Sequence, residues 1–222
     1  MPAQARCNAA RVRELDSAQV RVLGCLVEKQ QTTPDAYPLT LNSLRLACNQ
    51  STNRDPVVDY DEATVRDAAQ RLGQLGLARM ASYHGSRSAK YRHLVDEALG
   101  LAPDERAVLC VLMLRGPQTL GELKQRTERM HPFADLSSVE DALERLTGRD
   151  LGQWLERRPG QKEARYTHLL EGSGDDQPVA TDAVPPSSPP VTDDLTDEVA
   201  RLQRELAALR EDVAALREQL GS

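Results

Sequence analysis

The alternation of apolar and polar positions along this chain occurs in the same form twice. In residues 15–26 (LDSAQVRVLGCL) and 101–112 (LAPDERAVLCVL), apolar side chains recur at steps of three to four, the spacing of a helix with one buried face. Residues 65–72 (VRDAAQRL) and 139–146 (VEDALERL) repeat a second helical pattern in the same order. The repeat predicts two tandem copies of one small domain.

Each copy closes with a pattern typical of a β-hairpin. Residues 80–94 and 154–170 alternate apolar and polar positions around a bend that contains glycine, and they end in the similar strands AKYRHL and ARYTHL. A shorter shared piece, TLNSL at 40–44 and TLGEL at 119–123, predicts one more helix in each copy. The order helix, helix, helix, hairpin is that of the winged helix-turn-helix. We therefore predict a mainly α fold with small β wings.

The two predicted winged-helix domains span residues 15–96 and 97–171. Side chains suited to capping stand where helices are expected to begin, at Asp16, Thr119 and Ser137. Each is followed three residues later by an acidic or amide side chain, as in a capping box.

The composition changes after the second copy. Residues 172–194 are rich in Gly, Ser, Asp and Pro, which predicts a disordered linker. Residues 195–220 then carry apolar side chains at steps of four and three: Leu195, Val199, Leu202, Leu206, Leu209, Val213, Leu216 and Leu220. This heptad pattern predicts a parallel coiled coil that forms a homodimer. The alternative is a single amphipathic helix that folds back on the body.

The net charge of −6 is unevenly distributed. Residues 1–171 contain 24 Lys and Arg against 23 Asp and Glu, whereas residues 172–222 contain 4 against 11. The acidity therefore belongs to the tail, and the body does not repel DNA as a whole. No stretch approaches the roughly 20 apolar residues of a membrane span, and no signal peptide is recognisable. We expect a cytoplasmic protein without a membrane partner.

Double-stranded DNA is the first candidate partner. Candidate contacts are the polar and basic residues of the third helix of the first copy and of both hairpins: Arg66, Gln70, Arg71, Arg87, Lys90, Arg92, Arg157, Arg158, Lys162 and Arg165. The third helix of the second copy instead carries Glu140, Asp141 and Glu144, so we expect it to be a poor reader of the groove. These charges also suit ordinary solvated helix faces and hairpins.

The loop after the second helix of the first copy, residues 47–57, is crowded with amides and charges. Its candidate site residues are Asn49, Gln50, Asn53 and Arg54. In one interpretation they form local turns and cap the next helix. In the other, they face outward and bind a base edge, a phosphate or a peptide.

The sequence carries little that indicates catalysis or metal binding. The four cysteines share no CxxC spacing, and Cys25 and Cys110 lie on apolar helix faces, where we expect core residues. A pairing of Cys48 with a histidine is a weak candidate for a nucleophile or a metal site. We therefore predict no catalytic residue, no metal and no cofactor, and we do not expect an enzyme.

Several short motifs resemble the YceH-like family of bacterial proteins. They are Glu28-Lys29-Gln30, Thr32-Thr33-Pro34, Tyr37-Pro38-Leu39, Asn42, Ala47-Cys48-Asn49-Gln50, Asn53-Arg54, Pro56-Val57, Gly85-Ser86-Arg87, Lys90-Tyr91, Leu114-Arg115-Gly116, Gln118-Thr119, Gly121-Glu122-Leu123, Arg126, Arg129-Met130 and Arg165-Tyr166. The resemblance covers residues 15–170. It implies a tandem winged-helix fold, commonly with a C-terminal coiled coil, and no established biochemical activity.

Two functions follow as hypotheses, since a fold does not by itself imply a function. The first is a dimeric DNA-binding or transcription-regulatory protein. The alternative is a protein–protein interaction module that resembles the segregation and condensation protein B, in which the acidic second copy binds a protein partner without direct DNA readout.

Overall fold

The computed structural model describes residues 14–81, 89–157 and 163–172. All of these residues belong to one compact unit. The predicted coiled coil over 195–220 lies outside the described residues, as does the predicted linker beyond Gly172.

The described chain is mainly helical and has two small antiparallel sheets, as the sequence predicts. The first repeat contains α1 (Ser17–Thr32), a 3-10 turn (Pro34–Ala36), β1 (Leu39–Thr40), α2 (Leu41–Cys48), α3 (Glu62–Gln74), β2 (Ala78–Ala81) and β3 (Lys90–His93). A short helix, α4 (Val95–Leu99), leads to the second repeat. That repeat contains α5 (Pro103–Arg115), α6 (Leu120–Thr127), α7 (Leu136–Thr147), β4 (Gly152–Leu155) and β5 (Arg165–His168).

The strands pair in the same way in both repeats. β2 pairs with β3 and β4 pairs with β5, so the predicted hairpin strands are present in both copies. In the first repeat β1 adds a third strand, with Leu39 opposite Tyr91. In the second repeat a single antiparallel bridge joins Gln118 to Tyr166 at the corresponding position. The sequence repeat is therefore also a structural repeat.

Two of the three predicted helix caps are confirmed. Asp16 Oδ1 accepts a hydrogen bond from the Gln19 N–H at 2.8 Å at the start of α1. At the start of α6, Thr119 and Glu122 accept from each other's backbone N–H groups. The prediction of Ser137 as a cap is wrong, because Asp135 accepts from the Ser138 N–H at 2.8 Å and α7 begins one residue before Ser137. Because the helix begins at Leu136, Asp135 is the residue that caps its free N–H groups, and Ser137 lies within the first helical turn.

The two repeats share one hydrophobic core, because α1 packs against α5. Gly24 permits the close approach: a Cβ at this position would lie 2.9 Å from Leu114 Cδ2 and 3.2 Å from Met113 Cβ. Cys25 and Cys110 are fully buried, as the sequence predicts, and Cys110 Sγ lies 3.5 Å from Gly24 O at this interface. The apolar faces of the first helix of each copy therefore cover each other.

Each hairpin ends in a buried or half-buried histidine, His93 in β3 and His168 in β5. Nδ1 of His93 accepts from the Val95 N–H at 3.3 Å, and Nδ1 of His168 accepts from the Leu170 N–H at the same distance. Because its Nδ1 accepts, the His93 proton lies on Nε2, which is 2.6 Å from Gln30 Oε1. Burial lowers the pKa of each histidine to about 4.

We expect the free energy of unfolding to fall as the pH is lowered from about 6.5 to about 4. In this window the unfolded chain protonates His93 and the folded chain does not, so acid favours unfolding. Stability from this group is fully present above pH 6.5, its ordinary pKa, and is lost by about pH 4. The pKa difference corresponds to at most about 3 kcal/mol for His93. Urea unfolding between about pH 7.5 and about pH 4.5 measures it.

The variant His93→Gln is expected to remove the share of this pH dependence that belongs to His93. His131→Gln, which removes a histidine away from the strand ends, serves as the control and is expected to retain the full dependence. The same pH dependence in His93→Gln and in the unmodified protein would contradict the assignment.

Candidate functional site

The first hairpin carries three basic side chains on its outer face. Arg79 of β2 lies directly opposite Arg92 of β3, and Lys90 precedes Arg92 by two residues. Since successive side chains of a strand alternate between faces, these three share one face. The other face carries Ala78 and His93, which are buried in the core. The basic face of the hairpin, defined by Arg79, Lys90 and Arg92, is therefore the face opposite these core residues, with Arg79 exposed and Lys90 and Arg92 half-buried.

Little within the described residues neutralises this basic face. Arg92 Nη2 lies 3.3 Å from Glu97 Oε1, whereas Arg79 and Lys90 form no ion pair with another described residue. Like charges directly opposite each other on neighbouring strands are unfavourable. Bound phosphate would relieve that repulsion.

Sequence reasoning missed Arg79, because its position beside Arg92 depends on the strand register. One signal was available in the sequence. Residues 68–95 contain five Arg and Lys and no Asp or Glu, a wider basic stretch than the hairpin bend alone.

Helix α3 precedes this hairpin, packs against β2 and exposes three of the predicted contact residues, Arg66, Gln70 and Arg71. Arg66 pairs with Glu62 one turn earlier, and Arg71 Nη1 lies 3.7 Å from an Asp16 carboxylate oxygen. Exposed pairs of this kind contribute only about 0–1 kcal/mol, so they leave both guanidinium groups able to bind phosphate.

The equivalent face of the second hairpin is nearly neutral. Gln153 and Thr167 occupy the paired positions that Arg79 and Arg92 hold in the first hairpin. Arg165 is already bonded to other residues of the second repeat, since its Nη1 donates to Pro117 O at 2.8 Å and to Glu122 Oε2 at 3.1 Å. The second hairpin therefore offers fewer free positive charges than the first.

Helix α7 has an acidic exposed face in the second repeat. Glu140, Asp141 and Glu144 are all exposed, and they follow the buried Val139 just as residues 66, 67 and 70 follow Val65. The one arginine near the end of this face, Arg145, is paired with acidic side chains at the start of α5. The expected difference between the two third helices is thus present on the surface.

The remaining predicted contact residues are only partly described. Arg157 is exposed after β4. Three others lie outside the described residues: Arg87, Arg158 and Lys162. The eight predicted dimerisation residues from Leu195 to Leu220 lie outside them as well.

Arg54, in the amide-rich loop, is buried rather than turned to solvent. Its side chain is 0% exposed, and Nη2 lies 2.6 Å from Glu28 Oε2. The same guanidinium donates to Ala47 O at 3.1 Å and to Gln50 Oε1 at 2.8 Å. Burial alone would raise the pKa of Glu28, but the hydrogen bonds and charge of Arg54 hold it below its ordinary value. Arg54 therefore ties this loop to α1.

Asn49 and Gln50 also bond within the loop region. Asn49 Nδ2 donates to Tyr60 O at 2.8 Å, and Asn49 Oδ1 accepts from the Tyr60 N–H at 2.9 Å. These contacts favour the structural interpretation for Asn49, Gln50 and Arg54. Asn53 differs, because its Oδ1 accepts from Arg115 at the edge of a cavity between the two repeats.

The structure gives little support to other kinds of site. The hydrogen bond with Cys25, together with burial, raises the pKa of Cys48, which is the reverse of what a nucleophilic thiol needs. Among the residues that the structure describes, no three His, Cys, Asp or Glu side chains are grouped closely enough to hold a metal ion. Within the same ranges, no helix is both long and apolar enough to cross a bilayer.

Comparisons with known proteins identify close relatives. The family described as "Protein of unknown function, DUF480" matches residues 15–161. A UPF0502 protein of Pelobacter propionicus is 52% identical over 195 residues, which cover 86% of this chain and 88% of that protein. A UPF0502 protein of Geobacter sulfurreducens is 52% identical over 163 residues, 72% of this chain and 74% of that protein. A UPF0502 protein of Stenotrophomonas maltophilia is 50% identical over 161 residues, which cover 72% of this chain and 73% of that protein.

Proposed function

Since the chain belongs to the bacterial DUF480 family of UPF0502 proteins, which confirms the YceH-like resemblance but assigns no activity, we propose a function from its geometry. The protein is a non-enzymatic tandem winged-helix protein that binds double-stranded DNA through its first repeat. In this proposal α3 enters the major groove, and the first hairpin is the wing that contacts the adjacent phosphates.

One observation carries this proposal: the strand register brings Arg79, Lys90 and Arg92 together on the outer face of the hairpin. Phosphate oxygens are the acceptors that such a group of cations binds best. Arg66 and Gln70 on the exposed face of α3 are the side chains suited to base edges, because arginine and glutamine both form bidentate contacts there.

The second repeat has a different task in this proposal. The acidic face of α7, together with Leu136, which is 48% exposed, suits a protein partner better than DNA. This observation supports the interaction module as a second candidate function. A parallel homodimer through residues 195–220 remains part of the proposal and would place two first repeats on one DNA molecule.

The test is a titration of the full-length protein with random duplex DNA at salt concentrations from about 50 to about 200 mM. We expect binding that weakens with salt. The double variant Arg79→Gln with Lys90→Gln is expected to reduce the slope of log affinity against log salt by roughly 2, because about 0.9 counterion is released per phosphate contact. Affinity should fall about equally on all DNA sequences.

The matched control is Lys124→Gln with Arg129→Gln, which removes the same charge from the second repeat. It is expected to leave the salt slope unchanged. An equal loss of DNA affinity in both double variants would show that binding depends on net charge and not on the hairpin. Absence of salt-dependent binding by the unmodified protein would contradict DNA binding and favour the interaction module.

A further inference from the structure

A cavity of about 400 Å³ lies between the two repeats. The first repeat contributes Glu28 and Thr32 at the end of α1 and Asn53 from the amide-rich loop. The second repeat contributes one side of α5 and the end of α6 with the turn after it. The volume falls within the range of about 300–1,000 Å³ that is usual for small-molecule sites.

Three arginines line the cavity, and their positive charge is poorly compensated. Arg115 donates to the neutral Asn53 amide oxygen. Arg126 donates to the neutral side chain of Gln118 and has a carboxylate, that of Glu122, only at 3.6 Å. The Asn53 and Gln118 contacts orient the two guanidinium groups without neutralising them. Glu122 also pairs with Arg165 at 3.1 Å, so it compensates Arg126 only in part.

The side chain of the third arginine, Arg129, forms no hydrogen bond or ion pair with any other described residue. The one acidic side chain in the lining, Glu28, is already bound by Arg54 at 2.6 Å and by Lys29 at 3.3 Å. The cavity therefore carries an excess of positive charge.

The pKa of Arg115 agrees with this charge distribution. Burial lowers the pKa of its guanidinium group, and the charges of Arg126 and Arg54 lower it further. A bound anion would favour the protonated form, so the ligand and the charge on Arg115 would stabilise each other.

The other part of the lining is apolar. Val111 and Leu114 lie one turn apart on α5 and are almost fully buried in the common core, and Met130 packs against that core. A ligand that fills the cavity would therefore touch hydrocarbon on one side and guanidinium groups on the other.

We propose that this cavity binds a small organic anion, with a carboxylate held by Arg115, Arg126 and Arg129 and an apolar body against Val111, Leu114 and Met130. Arginine is suited to the role because its planar guanidinium group forms paired hydrogen bonds with a carboxylate. The site is separate from the basic face of the hairpin and does not rest on DNA binding. It offers a place where a metabolite contacts both repeats at once.

The probe is 1-naphthoate, an aromatic carboxylate, with 1-naphthamide as its uncharged counterpart. We expect the full-length protein to bind 1-naphthoate at concentrations up to about 1 mM in isothermal titration calorimetry. We expect 1-naphthoate to bind at least about tenfold more tightly than 1-naphthamide, because hydrogen bonds between charged groups are the strong ones. Arg129→Gln should weaken 1-naphthoate binding by about tenfold and leave the affinity for 1-naphthamide unchanged.

Arg129 is exposed and unpaired among the described residues, so its replacement should not disturb folding. Arg66→Gln is the matched control, since it removes an exposed arginine outside the cavity and is expected to leave 1-naphthoate binding unchanged. Equal affinity for the two probes, unchanged 1-naphthoate binding in Arg129→Gln, or no binding of 1-naphthoate would overturn the proposal. DNA binding by Arg129→Gln is measured in parallel, which separates failure of this site from failure of the hairpin.

Discussion

Replacement of Arg54 by alanine is expected to lower the free energy of unfolding by about 3–5 kcal/mol, the usual effect of removing one partner of a buried ion pair. The Arg54 side chain is fully buried, and without it the largely buried Glu28 carboxylate keeps Lys29 as its one ion-pair partner among the described residues. The backbone carbonyl of Ala47 also loses a donor. The buried charge, more than the lost contacts, accounts for the size of the effect.

Urea unfolding monitored by circular dichroism measures this change. Arg66→Ala is the control, because it breaks an exposed ion pair and is expected to change stability by less than about 1 kcal/mol. The double variant Arg54→Met with Glu28→Leu removes both charges and should recover part of the stability lost in Arg54→Ala. If Arg54→Ala is no less stable than Arg66→Ala, the buried pair does not stabilise the loop.

Replacement of Tyr166 by alanine is expected to destabilise the protein by about 3–5 kcal/mol, as for other large aromatic side chains in a core. Tyr166 is 0% exposed, and its hydroxyl group contacts Thr147 Oγ1 at 2.9 Å and Leu143 O at 3.1 Å. Its ring also fills the space above Gly152, where a Cβ would lie 2.5 Å from Tyr166 Cε1. The surrounding side chains therefore cannot easily fill the gap.

Tyr91 provides a matched control, since it occupies the same position in the first repeat but is only half-buried. Tyr91→Ala is expected to cost clearly less than Tyr166→Ala in the same unfolding experiment. Equal losses at the two positions would show that the difference in burial between the repeats has little energetic consequence.

Much of the fold could be predicted from local patterns. The helix faces, the Asp16 and Thr119 caps and the paired strands depend on residues a few positions apart, and a periodic pattern reports such spacing directly. The cap of α7 could not be predicted as safely, because Asp135 and Ser137 both offer an oxygen and only the helix start decides between them.

The residues of the candidate sites were harder to predict from the sequence than the fold was. Arg66, Lys90 and Arg92 are charged residues in recognisable elements, so composition identified them. Arg79 became a candidate only when the register placed it opposite Arg92. Arg115 and Arg129 carried part of the family resemblance but had no assigned role, since the cavity between them forms from both repeats.

The sequence by itself determined the repeat, the helical and strand segments and the contrast between a basic first hairpin and an acidic α7, because each of these features depends on residues that are close together in the chain. Only the tertiary structure decided that Arg54 is buried against Glu28, that Tyr166 is fully buried while Tyr91 is half-buried, and that three arginines line one cavity. These outcomes depend on how the amide-rich loop packs against α1, how β5 packs against α7 and how the two repeats pack together. Such packing is set by contacts between residues far apart in the chain, which no local pattern specifies.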